Sequence, residues 1–137
     1  MGSTLRTAHL VVGAITVLAF LVTGQIMSFH EPPVSGMEWA DRLLFRSRHI
    51  YLLCGGLVNL AIGVNFLLPE RAARRGAAIV GSLLVLTGAV LLFFAFFAEP
   101  MAGRAPGPVS SLGLFALFGG VLLGTIVGLK RAKGSAA

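Results

Sequence analysis

The sequence predicts an all-α integral membrane protein in which four transmembrane helices form an antiparallel bundle. Of its 137 residues, 56% are hydrophobic and only 12% are charged, about half the charged fraction of a typical soluble domain. The mean hydropathy is +0.91. Asp, Glu, Lys and Arg are absent from four stretches, each long enough for a helix of about 20 residues to cross about 30 Å of hydrocarbon: 10–29, 49–69, 76–98 and 105–129.

These stretches place the spans at about 9–28, 49–68, 77–98 and 109–129, within a single transmembrane domain covering residues 1–137. The spans and their linkers leave no room for a separate soluble domain. The pattern excludes a cytosolic enzyme, a nucleic-acid-binding domain and a secreted disulfide scaffold. Cys54 is the only cysteine, so no disulfide can form within the chain.

The charged residues divide unequally between the two sides of the predicted bundle. One side carries seven basic residues and one acid: Arg6, Arg71, Arg74, Arg75, Lys130, Arg131, Lys133 and Glu70. The other side carries four of each: Arg42, Arg46, Arg48, Arg104, Glu31, Glu38, Asp41 and Glu99. Because Lys and Arg are enriched in cytoplasmic loops, the pattern predicts a multi-pass cell-membrane protein with cytoplasmic termini. The excess positive charge suits anionic lipid headgroups and requires no nucleic acid.

The segment after span 1 predicts a short interfacial helix over about 36–48. Pro32 and Pro33 force an extended linker. Ser35 and Glu38 then have the spacing of a capping box, and Trp39 would anchor the helix at the membrane surface. We expect this helix either to continue into span 2 or to bend near 46–49.

Span 4 contains small residues at every fourth position, and they share one helix face. Small side chains allow two helix backbones to approach closely in a membrane. The face predicts either packing against spans 1–3 or contact with a second copy. Its members are Ala116, Gly120, Gly124 and Gly128.

Polar residues at the start of span 2 fall on two stripes of the predicted helix. One stripe contains Arg42, Arg46 and His49, and the other contains Arg48, Tyr51 and Asn59. They indicate either a lipid-anchored interfacial helix or a site for an anionic headgroup or polar ligand. Asn59 lies near the middle of the membrane and is expected to bond to another helix.

Metal and haem binding are weaker hypotheses, and no cofactor is predicted. Met27, His30, Met37 and Met101 would lie on the same side of the membrane, and thioether with imidazole suits Cu(I). A b-type haem would need His30 with His49, or a histidine with Met27.

Three function classes follow from these residues. The first is a non-catalytic accessory or structural subunit that acts through helix contacts, as a homo-oligomer or in a larger membrane complex. The second is a module that binds lipid, an apolar ligand, haem or copper at the outer face. The third is a lipid-headgroup enzyme with His49 as general base, and it ranks last because no carboxylate or thiol nucleophile accompanies that histidine.

Overall fold

The four charge-free stretches correspond to four long α-helices in the computed structural model. The structure describes residues 2–29, 33–69, 71–100 and 107–135, with side chains as far as 128. The helices are α1 (Gly2–Phe29), α2 (Trp39–Asn65), α3 (Ala72–Ala98) and α4 (Pro108–Ser135), and a short 3₁₀ helix (Val34–Gly36) precedes α2. All four are long and apolar enough to cross a membrane. The predicted four-helix membrane bundle is confirmed.

Successive helices run antiparallel, which defines two ends of the bundle. The turn end contains the start of α1, the end of α2 with residues 66–69, the start of α3 and the end of α4. The loop end contains the end of α1, the starts of α2 and α4, and the end of α3. We use these two names throughout.

Helix α2 is continuous over 27 residues, so no separate interfacial helix precedes it among the described residues. The predicted capping box is wrong. Ser35 lies in the 3₁₀ helix, which closes through a bond from the Gly36 N–H to the Pro33 carbonyl at 2.7 Å. Glu38 is the N-cap residue, but its side chain makes no capping bond. The helix therefore starts at Trp39 and includes most of the segment predicted as interfacial.

Close backbone approach at glycines holds the helices in two pairs. Between α1 and α2, a Cβ added to Gly13 would lie 2.8 Å from the Leu60 backbone nitrogen. Between α3 and α4, a Cβ added to Gly120 would lie 2.6 Å from the Gly81 carbonyl oxygen. Such contacts give the van der Waals packing that drives helix association in lipid.

A small apolar core joins the two pairs. Val85, Leu92 and Leu117 are its fully buried members. One face of α2, which includes Tyr51 and Ile62, packs against them. Helix α2 thus connects α1 to the α3–α4 pair.

Candidate functional site

A buried ion pair lies at the loop end. Arg48 Nε donates to Glu99 Oε2 at 2.8 Å, and the two side chains are only 7% and 4% exposed. Arg48 also donates to the Ser47 hydroxyl at 3.0 Å, and its guanidinium lies 5.8 Å from the centre of the Tyr51 ring. The pair fastens the start of α2 to the end of α3.

The other oxygen of Glu99 caps helix α4. Glu99 Oε1 accepts from the backbone N–H groups of Val109 at 2.7 Å and Ser110 at 2.9 Å. These N–H groups are among the four that the first turn of a helix leaves without an internal partner, so the carboxylate supplies an N-cap from another helix. Burial acts to raise the pKa of Glu99, but the Ser110 hydrogen bonds and the Arg48 ion pair lower it by more, so the pKa lies below the usual carboxyl value.

The three arginines predicted as headgroup-binding candidates differ in burial and in hydrogen-bond partners. Arg48 is buried in the ion pair, whereas Arg46 is exposed. Arg42 is half-buried, and its Nη1 donates to the Ser35 carbonyl at 3.3 Å. Glu99 was also missed by the sequence analysis, which counted it among the acids of this side without giving it a role. The equal numbers of basic and acidic residues at this end could have indicated an ion pair, because a buried arginine needs an acid nearby to neutralise it.

His49 lies in a half-buried position where α1, α2 and α3 meet. Its ring stacks on Phe20, with 4.1 Å between centroids, and Phe96 lies 6.3 Å away on the other helix pair. The Thr23 hydroxyl donates to the Ala19 carbonyl at 2.7 Å. The hydroxyl oxygen therefore accepts from His49 Nδ1, which lies 3.1 Å from it.

A second histidine bonds to Asn59, and sequence reasoning did not foresee this pair. His9 and Asn59 are both fully buried, and His9 Nδ1 lies 2.7 Å from Asn59 Oδ1. Because Asn59 Nδ2 already donates to the Gly55 carbonyl, its oxygen is the acceptor and His9 Nδ1 carries the proton. His9 Nε2 then holds a buried lone pair with no hydrogen-bond partner in the described chain. The expectation that Asn59 would bond to another helix is confirmed.

Two of the four methionine and histidine candidates for metal binding lie among the described residues. Met27 and Met37 are half-buried near the loop end. His30 and Met101 lie outside the described residues. Within the described ranges, no three His, Cys, Asp or Glu side chains come together as metal ligands.

The turn end contains a cleft between α2, α3 and α4. Its volume is about 460 Å³, within the usual range for ligand pockets. Its walls are mainly apolar and small residues, with Asn65, Ser82 and Thr125 as polar members. The lining residues include Ala61, Phe66, Gly81, Gly120, Gly124 and Gly128.

The predicted small-residue face of α4 contributes to this cleft. Gly120 is buried against α3, and Ala116 is half-buried. Gly124 and Gly128 are exposed, and a Cβ added to either would meet no atom within 4 Å. The helix backbones thus meet at Gly120 and leave open space beside the two later glycines.

Comparisons with protein-family models, curated proteins and solved structures found no match.

Proposed function

We propose that this protein is a non-catalytic membrane protein that binds a hydrophobic partner in the turn-end cleft. The observation that carries the proposal is the open, glycine-lined wall of α4 at Gly124 and Gly128. Small side chains on this wall let an apolar molecule approach the helix backbone closely.

The disposition of the buried charges supports a non-catalytic role. Arg48 and Glu99 bind each other, and the carboxylate also caps α4. Because Arg48 already binds Glu99, the support for a headgroup site or a lipid-headgroup enzyme at the loop end is weaker. Arg46 and His49 remain as the members of that alternative binding site.

Two kinds of molecule would fit the cleft. A transmembrane helix, from a larger complex or from a second copy, would make the protein an accessory subunit. An apolar ligand would make it a binding module, with the site at the turn end rather than at the loop end. The excess of Lys and Arg at the turn end supports a cytoplasmic location for that end.

Native mass spectrometry of the protein extracted in mild detergent tests the proposal. The test variants are Gly124→Leu and Gly128→Leu, which fill the cleft. The control is Gly119→Leu, on the same helix, at an exposed position outside the cleft with no atom within 4 Å of an added Cβ. We expect the wild type and the control to retain a bound mass or a second chain, and the cleft variants to lose it. A bare wild-type monomer, or equal retention by all four proteins, would overturn the proposal.

A further inference from the structure

Three polar side chains line the cleft, Asn65, Ser82 and Thr125, and two of them already donate hydrogen bonds. Asn65 Nδ2 donates to the Ala61 carbonyl at 2.9 Å, and the Thr125 hydroxyl donates to the Val121 carbonyl, also at 2.9 Å. Both side chains therefore use hydrogen bonds within their own helices. The remaining wall is largely hydrocarbon, which suits an acyl chain better than a polar solute.

Basic residues continue the α3 wall of the cleft toward the membrane surface. Ala78 and Ser82 line the cleft. At 100° per residue, Arg71, Arg75, Ala78 and Ser82 fall within an arc of about 60° on α3. Arg71 and Arg75 are exposed and lie at and just after the N-cap of the helix. They stand about one to two turns beyond the cleft-lining residues, at the level expected for lipid headgroups.

An apolar cleft beneath a pair of exposed arginines matches the chemistry of one ligand class. We infer that the cleft binds an anionic phospholipid from the leaflet at the turn end. One acyl chain occupies the cleft, and Arg71 and Arg75 bind the phosphate. This inference rests on the proposed function, since it names the occupant of the same cleft.

Charge complementarity favours this lipid over a partner helix. The turn end carries seven basic residues and one acid in the sequence, a net charge of +6. A helix passing through the cleft makes no use of that charge. An anionic headgroup gains about a kilocalorie per mole for each Lys or Arg near the surface, which corresponds to about fivefold in affinity.

The test is lipid selectivity, measured by native mass spectrometry after exchange into detergent micelles that contain equal amounts of phosphatidylglycerol and phosphatidylcholine. We expect the wild type to retain phosphatidylglycerol preferentially. Arg71→Gln and Arg75→Gln should each reduce the preference about fivefold, and the double variant should bind both lipids equally. Arg6→Gln, at an exposed arginine of the turn end that does not line the cleft, is the matched control and should keep the wild-type preference.

The outcomes separate this inference from the proposed function. Retention of both lipids by the wild type without preference, or a second protein chain in place of lipid, would overturn the inference and leave the proposed function standing. Insensitivity to Gly124→Leu would overturn the proposed function itself. Loss of selectivity in the Arg6→Gln control as well would show a general charge effect and overturn the phosphate contact.

Discussion

The Arg48–Glu99 pair combines two tasks that proteins usually assign to different residues. One carboxylate oxygen neutralises a buried guanidinium, and the other caps a helix from a different part of the chain. Removal of either charge would leave the other buried without an opposite charge, which is far more costly than loss of an exposed pair. The pair therefore joins α2 to the end of α3, and the same carboxylate caps the start of α4.

Arg48→Ala should destabilise the bundle by about 3 kcal/mol, because it leaves the Glu99 carboxylate buried beside only neutral donors. The measurement is thermal or denaturant unfolding in a fixed detergent. Arg46→Ala is the control, since Arg46 is exposed, and it should change stability by less than about 0.5 kcal/mol. Equal effects of the two substitutions would contradict the structural role given to Arg48.

The same pair predicts loss of stability in acid. The pKa of Glu99 is lower in the folded state than its ordinary value of 4.5. The ionised carboxylate therefore stabilises the fold fully above pH 4.5, and this stabilisation is lost as the pH falls through the folded-state pKa. At pH values below 4.5, we expect the unfolding temperature of the wild type to decrease. Glu99→Gln should be less stable at neutral pH and should show a smaller decrease in acid. An identical acid dependence of both proteins would refute this assignment.

At the residue scale, only part of the polar network could be predicted. An amide in hydrocarbon must bond to another helix, so the interhelical role of Asn59 followed from its position alone. Its partner His9 did not follow, because helical register does not fix how far two antiparallel helices slide past each other. Arg48 and Glu99 are 51 residues apart, and only the assembled bundle brings them together.

At the scale of the helices, the charge-free stretches predict the four helices well but predict less well the residues at which each helix begins and ends. The apolar stretches fix four helices because every backbone group in lipid needs an internal partner. The start of α2 was harder to predict, because Ser35 and Glu38 fit a capping box while the chain folds residues 34–36 as a separate 3₁₀ turn. Local spacing does not decide between these alternatives.

The two halves of the α4 glycine face should respond differently to alanine. At Gly120, a Cβ would press on the Gly81 carbonyl oxygen, so Gly120→Ala should destabilise the bundle by about 1–3 kcal/mol. At Gly124 there is open space, so Gly124→Ala should be neutral or slightly stabilising, because alanine is the better helix former. Unfolding in detergent measures both. Equal destabilisation would show that the whole face is packed and that the cleft is closed.

At the scale of the whole molecule, the bundle is fastened at one end and open at the other. The ion pair and the cap on α4 join three helices at the loop end. At the turn end, a cleft of about 460 Å³ separates α4 from the end of α2. Composition and periodicity could predict a small-residue face on α4, but they could not show which of its glycines meet α3 and which border open space. That distinction depends on how the helices cross.

The most direct test of the cleft as a binding site is photo-crosslinking with a phosphatidylglycerol that carries a diazirine on one acyl chain. In bilayers, mapping the labelled residues should show labelling concentrated in 61–69, 78–85 and 120–128. An excess of unmodified phosphatidylglycerol should suppress this labelling but leave labelling at exposed positions outside the cleft, such as Leu18 and Phe115, unchanged. Labelling spread evenly over the lipid-facing surfaces, with the cleft no more sensitive to competition than Leu18 and Phe115, would contradict binding in the cleft.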